Sequence, residues 1–334
     1  MKVFILTEGG RGIGFGHITR CAAIYDAFEW NDITPSFLIN ADSSVCTILK
    51  GNKYKIFDWL KEQEKLFAII KDADVVVVDS YLAKSEFYKK ISDAVRVPVY
   101  IDDNKRLKYP GGVVVNGSIF ANKLGYPKNK GTIYLLGPRY MPLRKEFWKM
   151  PNKKINKDFK EVLITFGGDD SKEITPKILK FLSGRYPECR KVVIVGKGFK
   201  GIKKIEKMSG KNTELIYYPD TEKMKQLMLR SDIVVSAGGQ TLYELARLGT
   251  PVIAVGVADN QINNLNGLEK AGAIKCAGRW DDPDILLKIE RYMKYLEDSV
   301  TRAGMSRRAV FCVDGNGALR VAGFILKKAA YNKW

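Results

Sequence analysis

Gly12-Ile13-Gly14-Phe15-Gly16-His17-Ile18-Thr19-Arg20 follows the apolar run Val3-Phe4-Ile5-Leu6, which reads as a buried first strand. Cys21-Ala22-Ala23-Ile24-Tyr25-Asp26-Ala27-Phe28 comes next, with apolar residues at helical spacing. Strand, glycine loop and helix in that order bring the backbone N–H groups of a helix start close to an anion. The loop also carries His17, the only histidine in 334 residues. A neutral imidazole accepts a proton near neutral pH, so His17 is a candidate general base, with a structural hydrogen-bonding histidine as the competing reading. The loop departs from the dinucleotide fingerprint GxGxxG, because Thr19 holds the third glycine position.

Outward from the loop, strand and helix alternate. Residues 35–40 read as a strand, 43–50 as a short helix, 54–57 as a strand and 59–71 as an amphipathic helix. Asp74-Val75-Val76-Val77-Val78-Asp79 is a continuous β-branched run, the pattern of a strand buried on both faces of a parallel sheet. Ser80-Tyr81 lies just past its carboxyl end, where open α/β sheets bind ligands. The strands at 97–101 and 112–115 end likewise in Asp102-Asp103-Asn104 and Asn116. Any one of these polar residues is explained by a cap or a turn; several on one edge of a sheet favour a site.

Residues 141–158, with Pro142, Pro151 and a lysine cluster, read as a connection between domains. The alternation then restarts. Glu161-Val162-Leu163-Ile164-Thr165-Phe166 runs into Gly167-Gly168-Asp169-Asp170-Ser171, and strands follow at 191–195 and 213–218. A second informative stretch is Ser236-Ala237-Gly238-Gly239-Gln240-Thr241-Leu242-Tyr243-Glu244, in which a strand ends, two glycines turn and a helix begins. Gly238 and Gly239 remove side chains where a diphosphate would meet the N–H groups of that helix. Glu244 is placed to bind ribose hydroxyls, or else to complement the helix dipole. Asp259-Asn260-Gln261 opens a further helix with side chains suited to sugar hydroxyls or to capping. The reading is therefore an α/β chain of two Rossmann-like, doubly wound domains facing across a cleft, residues 1–150 with the catalytic loop and 151–334 with the nucleotide site.

Composition narrows the class. An apolar fraction of 46% is ordinary for a globular protein. The amino terminus enters a strand directly, no run reads as a membrane helix, and five scattered cysteines lack CxxC spacing. A reduced, cytoplasmic protein with neither metal site nor cofactor is expected. The net charge of +19 is spread over lysines along the whole chain and accompanies no nucleic-acid motif, so no nucleic-acid partner is expected.

Taken together, the loop Gly14–Arg20, Asp79-Ser80-Tyr81, Gly167-Gly168-Asp169, and Ser236–Thr241 with Glu244 and Asn260-Gln261 resemble the nucleotide-sugar hydrolases of pseudaminic acid synthesis. That family is similar to the GT-B glycosyltransferases that build peptidoglycan lipid intermediates. Gly137-Pro138-Arg139-Tyr140 and Asp314-Gly315-Asn316-Gly317-Ala318 extend the resemblance over essentially the whole chain. It implies cleavage of UDP-2,4-diacetamido-2,4,6-trideoxy-β-L-altropyranose at the sugar–oxygen bond, with inversion and no metal. It also implies His17 as the catalytic residue and Tyr81, Asn260 and Gln261 near the sugar. Gly14, Gly16 and Arg20 are expected at the substrate; Gly168, Ser236, Gly238, Gly239, Gln240 and Glu244 are expected at the nucleotide. The chain departs from the family in Glu8-Gly9-Gly10-Arg11 ahead of the loop, in Ser80 before Tyr81, and in Asn263-Asn264. A glycosyltransferase of the same architecture, with peripheral membrane contact, is the alternative.

Overall fold

Short β-branched runs that are apolar on both faces pair as parallel strands, and their crossovers cover the sheet with helices. In the computed structural model, which describes residues 1–10, 14–46, 48–127, 130–151 and 153–331, such runs form two sheets. Arg11, Gly12 and Ile13 lie outside the described residues. The chain divides into two compact units, Met1–Trp148 with Gly315–Trp334, and Lys149–Asp314.

The first unit holds strands β1 (Val3–Gly9), β2 (Ser36–Ala41), β3 (Tyr54–Ile56), β4 (Val75–Asp79), β5 (Val97–Ile101), β6 (Gly112–Asn116) and β7 (Thr132–Leu136). They pair in the order β3-β2-β1-β4-β5-β6-β7, all parallel. Every residue of the central strands β4, β5 and β6 is buried, as the valine runs require. Helices α1 (Gly16–Glu29), α2 (Gln63–Ile70) and α3 (Ser85–Ala94) make the crossovers.

Two of the expected helices are shorter than read. Residues 59–71 are helical only over Gln63–Ile70, because Trp59 turns into the core and its Nε1 donates to the Thr7 carbonyl at 3.1 Å. Residues 43–50 give a single 3-10 turn, Ser43–Val45, fixed by Asp42 accepting from Ser44 N at 2.8 Å.

The second unit repeats the plan with β8 (Glu161–Thr165), β9 (Arg190–Val195), β10 (Thr213–Tyr217), β11 (Ile233–Ala237), β12 (Val252–Gly256) and β13 (Lys275–Arg279), ordered β10-β9-β8-β11-β12-β13. Its helices are α4 (Ile174–Arg185), α5 (Ile202–Met208), α6 (Thr221–Arg230), α7 (Thr241–Leu248), α8 (Ile262–Lys270), α9 (Ile285–Tyr295) and α10 (Ser299–Cys312). Asp220 and Asp298 cap α6 and α10 through their side chains.

The last helix, α11 (Gly317–Tyr331), departs from the expected boundary. Residues 151–334 were read as one domain, but Ala318, Val321, Ala322, Ile325 and Ala329 bury into the core of the first unit with Val3, Ile5, Ile24 and Phe28. Residues 299–331 are also long and apolar enough to span a membrane by composition. They form two helices broken at residues 313–316, with buried faces in different units.

Gly317 is where α11 seats, since a Cβ there would lie 2.1 Å from the Met141 carbonyl oxygen. Gly317→Ala should therefore cost about 1–3 kcal/mol by overpacking. The melting temperature should fall by roughly 2–4 °C per kcal/mol in a unit of this size. An unchanged melt would show that α11 does not dock through Met141.

Candidate active site and nucleotide site

In each sheet the strand order reverses once, between β1 and β4 in the first and between β8 and β11 in the second. Such switch points leave a crevice at the carboxyl ends of the strands, where α/β sheets bind ligands.

At the first switch point Thr7 of β1 pairs with Asp79 of β4. The loop after β1 is closed by reciprocal Gly10–Gly14 hydrogen bonds of 3.1 and 2.9 Å. Gly14 takes a φ of 88°, a left-handed conformation that favours glycine. This delivers α1 with His17 and Arg20 three residues apart, on the helix face turned to the end of β4.

His17 Nδ1 lies 2.7 Å from Asp79 Oδ1, and Arg20 Nη2 donates to the same oxygen at 2.6 Å. Arg20 Nε donates to Asp79 Oδ2, and Arg20 Nη1 to Asp103 Oδ1. The Asp79 side chain is 1% exposed. Burial alone would push its carboxyl up, but Arg20 and then His17 more than reverse this and hold it well below the usual carboxylate range. Burial pulls the Arg20 guanidinium down, and Asp103 and Asp79 raise it above its ordinary value. Arg20 Nη2 also lies 3.0 Å from Nδ1, a contact that would need Nδ1 to accept; the shorter approach to Asp79, which only accepts, favours the proton on Nδ1 and leaves Nε2 to accept. Nε2 has no hydrogen-bond partner among the described residues.

Tyr81 stands edge-on to the imidazole, ring centroids 4.6 Å apart at 81°. Its hydroxyl donates to Asp103 Oδ2 at 2.6 Å. Burial and then the Asp103 carboxylate push that hydroxyl well above its ordinary value, so it stays protonated. Of the loop residues expected at the substrate, Gly14 and Gly16 border open space, where an added Cβ would meet nothing within 4 Å. Arg20 lies in the same cluster, its guanidinium engaged by two carboxylates and its side chain 11% exposed. Asp79 and Asp103 were seen only as polar strand ends.

The second switch point brings together Gly168, after β8, and the turn Gly238-Gly239-Gln240, after β11. Gly168 is exposed, and its carbonyl accepts from Gly198 N at 2.8 Å. The two turn glycines differ. A Cβ on Gly238 would lie 2.9 Å from Gln261 Cβ, whereas one on Gly239 would meet only Gln261 Nε2 at 3.9 Å. Gly238 N is also engaged, by Val255 O at 3.1 Å and Gln261 Oε1 at 3.2 Å, so Gly238 serves close packing and Gly239 is the open position.

Gln261 Oε1 takes a second N–H, from Val257 at 3.0 Å, which fixes the amide and leaves Nε2 without a partner among the described residues. Asn260 is exposed in the 3-10 turn Asp259–Gln261. Gln240 precedes α7, and Glu244 lies buried in its first turn. Ser236 is fully buried within β11, with its hydroxyl turned to the Ala237 carbonyl at 3.2 Å.

The whole chain can be placed among known structures. MurG of Acinetobacter baumannii superposes over 98% of this chain and 100% of its own, at a TM-score of 0.71 and 15% identity. A UDP complex of MnaA from S. aureus covers 97% of this chain and 96% of its own, at 0.69 and 16% identity. The chain has the GT-B fold.

Within this GT-B chain, residues 152–304 match the glycosyltransferase family 28 C-terminal domain. An uncharacterized protein of Methanocaldococcus jannaschii is 27% identical over 76% of the chain. The pseudaminic acid cytidylyltransferase and UDP-2,4-diacetamido-2,4,6-trideoxy-beta-L-altropyranose hydrolase of Helicobacter pylori is 26% identical over 82% of it. The chain spans about half the length of these two relatives, 55% and 48%. The spore coat polysaccharide biosynthesis protein SpsG of Bacillus subtilis is 23% identical over 97% of the chain and 98% of its own length.

The pH dependence of the Asp79 cluster has a definite sign. Its folded pKa is depressed, so its stabilisation is present above the unfolded carboxylate value of about 3.9 and is lost as pH falls below it. Asp79→Asn should thus melt below wild type near neutral pH, with the gap beginning to narrow below about pH 5 and continuing to narrow well below about pH 3, toward the depressed folded value. A gap independent of pH would contradict an ionised Asp79.

Proposed function

We propose that the chain is a nucleotide-sugar hydrolase. It cleaves the glycosyl C–O bond of UDP-2,4-diacetamido-2,4,6-trideoxy-β-L-altropyranose, giving free sugar and UDP with inversion, in nonulosonic (pseudaminic) acid biosynthesis. The observation that carries this reading is the His17–Asp79 pair, which leaves the other imidazole nitrogen without a hydrogen-bond partner among the described residues. The 26% identity to the Helicobacter pylori protein supports the choice of sugar and nucleotide.

In this mechanism water attacks the anomeric carbon and His17 Nε2 takes its proton. Asp79 stabilises the resulting imidazolium, in the role a buried carboxylate plays behind a catalytic histidine. The C–O bond breaks with its electron pair going to the diphosphate oxygen. That oxygen belongs to an anion and needs donors, not a proton. Gly239 and Gln240 at the start of α7, with Gln261 Nε2, are the donors assigned to it. Glu244 is assigned to the ribose, Tyr81 and Asn260 to the sugar. Because this arrangement needs no Lewis acid, turnover is expected to survive EDTA.

The match of residues 152–304 to glycosyltransferase family 28 favours a second reading, in which the same base deprotonates an acceptor hydroxyl. Release of UDP from the nucleotide sugar in water, as fast without acceptor as with one, decides for the hydrolase.

His17→Asn should lower kcat by ~10²–10⁴-fold, the contribution of a positioned base, while UDP binding persists. In H₂¹⁸O the label should enter the sugar; label in UDP would mean attack at phosphorus and would remove His17 from the mechanism.

Glu244→Ala should weaken UDP binding by about 1–3 kcal/mol, the range for a hydrogen bond to a charged group, with little change in melting temperature. A lower melt with unchanged affinity would assign Glu244 to the helix instead.

A further inference from the structure

The loop after β4 is held in a way that catalysis by His17 and Asp79 does not itself require. Glu8, the penultimate residue of β1 at 0% exposure, lies beneath it. Its Oε1 accepts from Tyr81 N at 2.6 Å and Leu82 N at 3.1 Å, and its Oε2 accepts from the Ser80 hydroxyl. Ser80 Oγ in turn accepts from Leu82 N and Ala83 N at 3.1 and 2.9 Å.

The carbonyls of the same loop go to one guanidinium. Arg106 Nη2 donates to Ser80 O at 2.8 Å, and Arg106 Nη1 to Ala83 O at 3.1 Å and Tyr81 O at 3.4 Å. Arg106 is itself placed by Asp102 Oδ1, which accepts from its backbone N at 3.3 Å.

Surface loops ordinarily leave such backbone groups to water. Here a fully buried carboxylate takes the N–H groups from one side and a guanidinium takes the carbonyls from the other. Burying a carboxylate is costly unless donors surround it, so this is an expensive way to hold four residues. What the loop presents is the Tyr81 ring, 39% exposed and edge-on to His17.

We propose that Glu8 and Arg106 are positioning residues, a two-sided clamp on loop 80–83 that fixes the Tyr81 ring against His17. The clamp sets the shape of the space beside the base and so the sugar accepted there. The last clause rests on the hydrolase reading; the placement of the ring does not.

A single histidine makes the test direct, because the ¹H–¹³C spectrum of ¹³C-histidine-labelled protein holds one ring signal set. Tyr81→Ala defines the displacement of that signal when the aromatic ring is lost. Glu8→Ala and Arg106→Ala should each move it the same way by at least half as much, and should add nothing further in the Tyr81→Ala background. A signal unmoved in the folded clamp variants, whatever happens to their melting temperatures, overturns the proposal. Glu8→Gln and Arg106→Ala pose the same question if Glu8→Ala does not fold.

With the UDP sugar as substrate, the clamp variants should lose kcat on the order of 10–100-fold, as for a small misplacement of a reacting group, with UDP inhibition unchanged. Unchanged kcat overturns the functional half. A wild-type protein that does not turn the sugar over would instead sink the hydrolase reading, and the histidine signal alone would then judge the clamp.

Discussion

Asp79 sits at the end of the most deeply buried part of the first sheet and still carries a charge. It can do so because Arg20 meets both of its oxygens and His17 meets one. Much of the surrounding architecture follows from that requirement. β1 must pair with β4 so that Thr7 faces Asp79, α1 must begin within a few residues of β1, and the loop after β5 must bring Asp103 to the remaining Arg20 nitrogen. Buried ion clusters of this kind are weak sources of stability, because desolvation offsets most of the attraction. Their value lies in orientation. Here one imidazole is held in a single tautomer, with a carboxylate that stays ionised behind it.

The two sheets solve the same topological problem with opposite chemistry. At the first switch point the crevice is built from two carboxylates, a guanidinium and an imidazole joined in one hydrogen-bonded cluster. At the second it is built from glycine turns, a helix start and the amide of Gln261, which offer donors without a full charge. Under the proposed function, a group that moves protons and a group that receives an anion ask for different surroundings, and each unit would supply one. The net charge of +19 plays no visible part in either crevice, consistent with lysines distributed over the surface.

The sheets were legible because their signal is local: Asp74–Asp79 and Glu161–Phe166 announce buried strands in a few residues. His17 was legible because glycines and a helix start frame it. Its partner was not, since Asp79 lies 62 residues away and the contact depends on which strand pairs with β1. The partners of Arg20 were hidden for a related reason, because only the strand topology places two carboxylates against it. The burial of Ser236 was hidden at the scale of one residue, because a polar residue at the end of a valine run can lie inside the sheet as readily as beyond it. The destination of α11 was hidden altogether, since an amphipathic helix records that it has a buried face and not which sheet it covers.

That destination has a consequence for how the chain comes to be folded. The first unit is discontinuous, with residues 315–334 completing a core that residues 1–148 leave open along α1. During synthesis the second unit emerges whole while the first still lacks a wall, so β1–β7 are made before the core they belong to can close. A fragment ending at Asp314 would expose Ile24, Phe28 and their neighbours to water. A tag or fusion that strains the last helix would be felt in the core that carries His17, although it lies some three hundred residues away in the chain.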